Sequence, residues 1–286
     1  MDSPLEALTA SVTLNVGWGR AAGCSHLGKV RSTNEDRLLL NAWPEQDGIL
    51  AVVADGMGGN SAGEIAAQLA IDTFAELLTN PLPLTPSEQY DALLESCYLA
   101  DERIRCEGVK SFQTLGMGTT IVAAIVTPTT CVHVHAGDSR LYHFRQSEQK
   151  YRTSDHSIVE MLLEMGRIKP EDIPTHPMRS VVNSCLGGKN GDGNFSVDPK
   201  WDDDNPPVLL LESEDVVLLC SDGLSSYIGA EHIQSLVEKN GGTPSRLANC
   251  LLDDVLERST ASDNVTLLVL TVSSSNPFLD QKHRTL

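Results

Sequence analysis

Acidic residues recur beside short apolar segments in this 286-residue sequence. The acids that border such segments are Glu35, Asp36, Asp55, Asp138, Asp222 and Asp263. Carboxylates crowded at one edge of a fold would repel one another and raise their own pKa values, a penalty that divalent cations remove. Two cations about 3.5–4 Å apart can share a water, lower its pKa and present hydroxide at neutral pH. Such a site suits in-line attack on phosphorus.

The turn at Asp55 is the most informative of these positions. Residues 49–54 form an apolar run typical of a buried strand, and the run stops at Asp55 and Gly56. Glycine lets the backbone turn sharply and leaves the carbonyl after Asp55 open to a ligand. Each acid taken alone is better explained as part of a strand-end turn. The set taken together favours a metal site.

The elements that position these acids follow from periodicity and turn residues. Strands are predicted at 14–16, 37–40, 49–54, 119–126, 131–136, 141–144, 208–211, 216–221 and 265–272. Helices are predicted after a capping box at Ser61 and Glu64, and at 87–106, 157–165, 230–239 and 244–257. This order does not alternate as βαβ units do. It predicts an α+β fold, in which two packed, mainly antiparallel sheets are flanked by helices in a four-layer α-β-β-α sandwich.

The domain boundaries are predicted from composition. Residues 12–273 form one domain, and residues 1–11 and 274–286 are polar or broken by proline and are expected to be loose. A stretch rich in Pro, Gly, Asp and Asn begins after the third helix. We expect residues 157–190 to form a flap on the surface of this domain, rather than a linker between two domains.

Charge and composition exclude several classes of function. The chain has 21 basic and 39 acidic residues and a formal net charge of −18, which argues against binding to nucleic acid. No apolar run approaches the ~20 residues of a membrane helix, and the first residues do not resemble a secretory signal. Seven cysteines without a CxxC pair are typical of reduced thiols. These features predict a cytoplasmic protein that needs neither membrane nor nucleic acid, and we expect a monomer.

Seven motifs occur in an order that identifies a family resemblance. They are GKVRSTNED at 28–36, VADGMGG at 53–59, GMGTT at 116–120, GDSR at 137–140, DHS at 155–157, SDGL at 221–224 and DNVT at 263–266. Together they resemble the PP2C (PPM) family of metal-dependent protein serine/threonine phosphatases, and the bacterial-type members most closely. The resemblance extends over about residues 12–272, so it is far more specific than any single motif.

The resemblance implies a set of metal ligands. Asp55 would bridge two Mn²⁺ or Mg²⁺ ions. The Gly56 carbonyl and Glu35 would lie at one ion, and Asp222 and Asp263 would hold the other. A third ion, found in many members of the family, would lie between Asp138 and Asp222.

The resemblance also implies roles for three other residues. Arg31 matches the arginine that binds the substrate phosphate, for which a guanidinium fork is well suited. Asp36 would hold a metal-bound water, and Asn264 would support the neighbouring ligand. The implied reaction is hydrolysis of phosphoserine and phosphothreonine by metal-bound hydroxide without a phosphoenzyme. Phosphorylated proteins would be the substrates, and a Ser/Thr kinase would act in opposition.

Two other functions remain open from the sequence. One is a catalytically weak module that keeps the PP2C fold for regulation or binding, although the intact acidic set argues against it. The other is a metal-dependent hydrolase of small phosphate esters. Activity toward p-nitrophenyl phosphate with and without Mn²⁺ separates the first from an enzyme, and activity toward phosphopeptides separates the second.

One departure from the family pattern leaves the general acid open. Bacterial relatives often have histidine where this chain has Asn60. A metal-bound water could protonate the leaving oxygen. His176 could do so if the flap folds inward, and Arg179 in the same segment would then contact substrate, although a surface histidine is the default interpretation.

Three other motifs are set aside. Cys97 and Arg103 have the C-x5-R spacing of cysteine phosphatases, but no glycine lies between them and they lie on a predicted amphipathic helix, so Cys97 is expected in the core. Residues 23–29 resemble an NTPase phosphate loop but lack the following Ser or Thr. His133 and His135 share a strand face and could bind a metal, although packing or surface exposure is the favoured role.

Overall fold

In the computed structural model, which describes residues 9–43, 45–58, 62–188, 195–258 and 261–273, most of the chain is in regular elements. The strands are β1 (Thr9–Val16), β2 (Gly19–His26), β3 (Asp36–Trp43), β4 (Gly48–Met57), β5 (Gly118–Thr119), β6 (Ile121–Val126), β7 (Thr130–Ala136), β8 (Arg140–Arg145), β9 (Glu148–Arg152), β10 (Leu186–Gly187), β11 (Val208–Leu210), β12 (Val216–Cys220) and β13 (Val265–Val272). The helices are α1 (Ala62–Ala75), α2 (Pro86–Gly108), α3 (Ile158–Glu164), α4 (Asp222–Ser225), α5 (Ala230–Asn240) and α6 (Pro244–Glu257). Two 3₁₀ helices lie at Glu76–Thr79 and Pro170–Thr175.

The strands form two sheets. The first sheet has the order β1-β2-β13-β12-β8-β9. In the second sheet β4 lies between β3 and β6, and β7 and β11 continue it, while the short β5 and β10 extend it beside the end of β4. Every strand pair in the described residues is antiparallel. The acids at the ends of β4, β7 and β12 can therefore meet only if the two sheets align these ends.

Three clusters of buried apolar residues hold the two sheets together and hold the helices against their outer faces. Helices α1 and α2 pack on the outer face of the second sheet. Helices α5 and α6 pack on the outer face of the first sheet. A third cluster, which includes Trp18, Val53 and Leu268, fills the space between the sheets. The α-β-β-α architecture predicted from the sequence is confirmed.

The position of β4 between two apolar layers explains why its sequence is an unbroken apolar run. Leu50 and Val52 contact the layer beneath α1 and α2, whereas Ala51 and Val53 face the first sheet. Both faces of the strand are buried, so apolar side chains are favourable at every position, whichever face they point to. The run ends at Asp55, where the strand reaches the edge of the sandwich.

Some predicted boundaries differ from the structure. β1 begins at Thr9, before the predicted domain start at residue 12. β2 was not predicted, because its Gly and Ala residues have low strand propensity. Gly23 is nevertheless favoured there, since a Cβ would lie 2.8 Å from the Leu267 carbonyl oxygen and 2.2 Å from Leu268 Cδ2. β9 was missed because it is polar and largely exposed.

Other predictions lie outside the described residues, including the Ser61 cap, the tail at 274–286 and the last residues of the flap. Within the described part of the chain, no helix combines the length and the apolar character needed to cross a bilayer.

Candidate active site

Five aspartates from both sheets lie together at one edge of the sandwich. Asp36 and Asp55 are direct partners in the register of β3 and β4. Asp222 begins α4 directly after β12, Asp263 precedes β13, and Asp138 lies between β7 and β8. The charges of the other four all act on Asp55. We call these five residues the acidic edge.

Four carboxyl groups of the acidic edge, those of Asp36, Asp55, Asp138 and Asp222, have raised pKa values. Burial, followed by the neighbouring charges, raises the pKa of Asp55 well above its usual value. Burial likewise raises the pKa of Asp36 and of Asp138 to about 7 each. Burial and the charge of Asp263 raise the pKa of Asp222 to about 6. Mutual repulsion of this kind is relieved by a bound cation.

Close backbone packing shapes the turn after Asp55. A Cβ on Gly56 would lie 2.1 Å from the Gly63 carbonyl oxygen, so only glycine fits. The Asp55 carbonyl accepts hydrogen bonds of 2.9 Å from the Thr119 hydroxyl and from the Thr120 N–H. The GMGTT motif therefore holds the Asp55 turn in place, a role that the sequence did not indicate.

The Gly56 carbonyl and the Glu35 carboxylate converge beside the first turn of α1. A Cβ on Gly63 would lie 2.7 Å from the Gly56 oxygen and 2.8 Å from Glu35 Oε1. Burial raises the pKa of Glu35, while the Arg31 charge and the Gly63 N–H act in the opposite direction. A carbonyl oxygen and a carboxylate oxygen that lie this close together are donors of the kind that Mg²⁺ and Mn²⁺ accept.

The residues of the acidic edge fit a pair of hard cations in donor type and in proximity. In the described part of the chain, however, no three His, Cys, Asp or Glu side chains form a ready-made metal cage. The Asp263 carboxylate is bonded to Arg31, whose Nη2 lies 2.9 Å from Oδ1 and 3.0 Å from Oδ2. Arg31 therefore takes up part of the acceptor capacity of the carboxylate that the family resemblance assigns to an ion.

Arg31 itself lies at the rim of the acidic edge with its side chain about half exposed. The hydrogen bond to Asp263, together with neighbouring carboxylates, raises its pKa. The predicted phosphate-binding arginine is thus placed beside the predicted metal ligands, but it is paired with one of them.

Asn264 fastens the loop that carries Arg31 and Glu35. Its Nδ2 donates to the carbonyls of Leu27 and Thr33 at 2.8 and 3.1 Å, and its Oδ1 accepts from the Glu35 N–H at 2.8 Å. The family resemblance implied that Asn264 supports the neighbouring ligand. The structure shows its side chain bonded to the loop that carries Arg31 and Glu35.

Asp36 is the most enclosed residue of the acidic edge, with 2% of its surface exposed. Its Oδ2 accepts a hydrogen bond of 2.8 Å from the Ser221 hydroxyl, and Thr266 also bonds to it. Ser25 and Asn34 extend this network through bonds of 2.7 and 2.8 Å. Asp36 lies on β3 of the second sheet, and its side chain is therefore oriented by residues of the first sheet.

A buried ion pair next to Asp138 was not assigned a role from the sequence. Arg140 donates from Nε and Nη2 to the two oxygens of Asp155 at 2.7 and 2.6 Å. Burial alone would lower the pKa of Arg140, but this bidentate contact raises it well above its usual value. The Arg140 charge also lowers the pKa of Asp138 and Asp222. Arg140 lies in the GDSR motif and Asp155 in the DHS motif. Their presence in these two motifs was the only indication in the sequence that they have a role.

The flap borders a cleft that opens from the acidic edge. Ser157 caps α3 by accepting a hydrogen bond from the Glu160 N–H, and the 3₁₀ helix Pro170–Thr175 follows. Arg179 lines the cleft together with Asp138, Asp222 and Asp263. His176 is not among the described residues that line it, and its Nδ1 accepts a hydrogen bond from the Met178 N–H. Asn60 lies outside the described residues.

The motifs that were set aside have structural roles. Cys97 is fully buried in α2, and burial raises its pKa, while Arg103 pairs with Glu76. His133 and His135 are buried as well and bond to the Tyr151 hydroxyl and to backbone carbonyls. The packing interpretation of these side chains is confirmed.

Comparison with known proteins gives consistent matches. The family model described as protein phosphatase 2C matches residues 22–262. A serine/threonine phosphatase named stp from Listeria innocua is 29% identical over 244 residues, which are 85% of this chain and 92% of that protein. The Streptococcus agalactiae serine/threonine phosphatase structure aligns with a TM-score of 0.77 at 26% identity, over 93% of this chain and 100% of that chain. The catalytic domain of the phosphatase PstP, in complex with two manganese ions, aligns with a TM-score of 0.71 at 28% identity, over 90% and 99% of the two chains.

Proposed function

Because the chain belongs to the protein phosphatase 2C family and is a metal-dependent protein serine/threonine phosphatase, we propose that its acidic edge is the catalytic centre. The observation that carries this proposal is the convergence of five aspartates from two sheets, where burial and mutual repulsion raise the pKa values of Asp36, Asp55, Asp138 and Asp222. A non-catalytic module is not favoured, since it has no need for such a costly arrangement and the relatives are named as phosphatases.

We propose two ions, Mn²⁺ or Mg²⁺, with the ligands that the family resemblance implies. Asp55 would bridge them, and the Gly56 carbonyl with Glu35 would lie at one ion. Asp222 and Asp263 would hold the other, and Asp138 with Asp222 would offer a third position. The oxygen-only donor set and the two manganese ions in the PstP structure support this assignment.

When bound, divalent cations lower the pKa of a water and neutralise phosphate charge. Arg31 would leave Asp263 and bind two phosphate oxygens through its guanidinium fork. Asp36, held by Ser221 and Thr266, would accept a hydrogen bond from the attacking water and orient it. Water would attack phosphorus directly, so no phosphoenzyme would accumulate.

We further propose that the substrates are phosphoproteins modified by an opposing Ser/Thr kinase in the cytoplasm. All seven cysteines are free, as expected for a protein in a reducing compartment. The flap would contact the substrate near its phosphorylated residue, with Arg179 on the cleft side.

Turnover of a phosphothreonine peptide by the purified protein tests this function. We expect phosphate release with Mn²⁺, none with EDTA, and a linear time course without a burst. Release from p-nitrophenyl phosphate but not from the peptide would instead indicate a hydrolase of small phosphate esters. No metal-dependent release from either substrate would refute the proposal.

A further inference from the structure

Two separate parts of the chain contribute to the walls of the cleft beside the acidic edge. One part is the flap, with Ile173, Pro174, Arg179 and Ser180. The other part follows β12 and precedes β13, with Ser225, Ser226, Tyr227 and Ser262. The floor reaches Asp138, Asp222 and Asp263, so a peptide whose phosphate reached the acidic edge would extend along this cleft.

The walls of the cleft are hydrophilic. Serine hydroxyls are prominent in both parts, and the Tyr227 hydroxyl is already engaged by Ser262 through bonds of 2.9 Å to its hydroxyl and 3.0 Å to its N–H. Such walls favour a polar peptide segment, because an apolar peptide would cover the wall hydroxyls without offering them hydrogen-bond partners, which costs free energy.

The cations of the cleft differ in whether they are neutralised. Arg140 is bonded to both oxygens of Asp155, and Arg152 Nη2 lies 3.1 Å from Glu160 Oε1. Arg179 is exposed, and within the described residues its side chain has no ion-pair partner. Its backbone N–H bonds to the His176 carbonyl, which holds this part of the flap in a turn.

We infer that Arg179 is a specificity-determining residue that binds an anionic group next to the phosphorylated residue of the substrate. This inference rests on the proposed function and names the class of phosphoprotein that the cleft selects. The anion is the carboxylate of Asp or Glu, or a second phosphoryl group. Both match the donor fork of a guanidinium.

The overall charge of the protein makes this local cation important. With a formal net charge of −18, the surface as a whole repels acidic peptides. Charges beyond about 8 Å are largely screened at physiological salt, however, so the nearest unpaired group decides. In the cleft that group is Arg179, because the carboxylates of the floor are the proposed metal ligands and those of the walls are paired with arginines.

Peptide selectivity tests the inference. The peptides share one phosphothreonine sequence and carry alanine, glutamate or a non-hydrolysable phosphonate analogue of phosphoserine at positions on either side. We expect wild-type kcat/KM to rise about fivefold with glutamate, the upper range of a partly exposed ion pair, and further with the phosphonate. The larger of the two effects identifies the natural anion.

The variant Arg179→Gln should bring the acidic-to-alanine ratio of kcat/KM to about one. Arg167→Gln is the matched control, since Arg167 is an exposed arginine of the same segment that does not line the cleft. We expect this control to keep the wild-type ratio. A thermal melt of each variant would establish that both fold.

Two results would overturn the inference while leaving the proposed function intact. One is a wild-type enzyme that hydrolyses all peptides equally well, and the other is an Arg179→Gln variant that keeps the acidic preference. A wild-type protein that hydrolyses none of the peptides with Mn²⁺ would refute the proposed function, and this inference with it.

Discussion

If Asp263 is a metal ligand as proposed, Arg31 and a divalent cation would compete for one carboxylate at the acidic edge. The guanidinium holds both oxygens of Asp263, so it neutralises part of the charge that a cation would otherwise neutralise. Binding of metal would release Arg31 for the substrate phosphate. The same residue would therefore oppose the metal and assist the substrate.

The variant Arg31→Gln should separate these two effects. Without the competing cation, the Kd for Mn²⁺ should fall by up to about fivefold, since an exposed ion pair is worth ~0.2–1 kcal/mol. The KM for a phosphothreonine peptide should rise about tenfold, because a charge-assisted contact with phosphate is lost. Calorimetric titration with Mn²⁺ and steady-state kinetics measure the two quantities. Weaker Mn²⁺ binding by the variant would contradict this competition.

The burial of Asp138, together with repulsion from neighbouring carboxylates, should appear in the pH dependence of stability. Asp138 ionises near pH 4 when unfolded but holds its proton to about pH 7 when folded. Between these values the folded state binds more protons, so Asp138 costs the metal-free protein stability as pH rises, and the cost is complete above pH 7.

Asp138→Asn removes this titration in the metal-free protein. Its Tm relative to wild type should therefore rise between pH 5 and pH 8, by at least about 2 °C. Asp91→Asn, an exposed site on α2, serves as the control and should show a constant difference. A constant difference for Asp138→Asn as well would mean that this carboxyl is not perturbed.

At the scale of elements, the β4 turn packs very closely against the first turn of α1. Gly56 and Gly63 pack so tightly that neither has room for a Cβ. This contact brings the Gly56 carbonyl and Glu35 to the same point. A glycine inside the first turn of a helix costs helix stability, about 1 kcal/mol relative to alanine. Its presence is explained by the space that the carbonyl requires.

Gly63→Ala tests this packing. The helix should gain from alanine, but the added Cβ must displace the Gly56 carbonyl or Glu35, so we expect Mn²⁺ affinity to fall about tenfold or more. Gly229→Ala is the matched control, because nothing lies within 4 Å of its Cβ position, and its affinity should equal that of wild type. Unchanged affinity in Gly63→Ala would show that these two oxygens are not ligands.

Most elements could be predicted because burial in the core determines where their apolar residues fall. β13 and α6 have the predicted boundaries, since every residue of β13 is buried and α6 has a clear apolar face. β2 could not be predicted, because its small residues are selected by close contact with Leu268, which only the folded sheet reveals. The four-residue α4 is too short for any periodicity to be read.

For the molecule as a whole, the decisive feature is that the two sheets align their acidic ends. Local patterns identified each acid, and the family resemblance implied that Asp55 and Asp222 meet, but strand periodicity alone does not determine how two sheets stack. The pairing of Arg31 with Asp263 was not predictable either, since it depends on charges from distant parts of the chain.

The opposite end of the first sheet contains a second network that should matter for stability alone. Asp215 is fully buried and lies 2.9 Å from His143 Nε2 and 2.8 Å from Arg145 Nη2. Asp215→Ala removes the acceptor of His143 Nε2 and of the Glu212 N–H, whereas Arg145 keeps Glu212 and the Leu210 carbonyl. We therefore expect a loss of about 1–3 kcal/mol in the free energy of unfolding. Denaturant titration measures it. The folded variant should keep wild-type Mn²⁺ affinity, and a change in affinity would mean that the two ends are coupled.

The central claim is that the acidic edge holds the cations that drive phosphate hydrolysis, and Asp222→Asn tests it most directly. The measurement is kcat/KM for a phosphothreonine peptide at saturating Mn²⁺, with Asp91→Asn as the control. We predict a fall of at least about 100-fold for Asp222→Asn with the fold retained, and wild-type turnover for the control. Wild-type turnover by a folded Asp222→Asn variant would contradict the account.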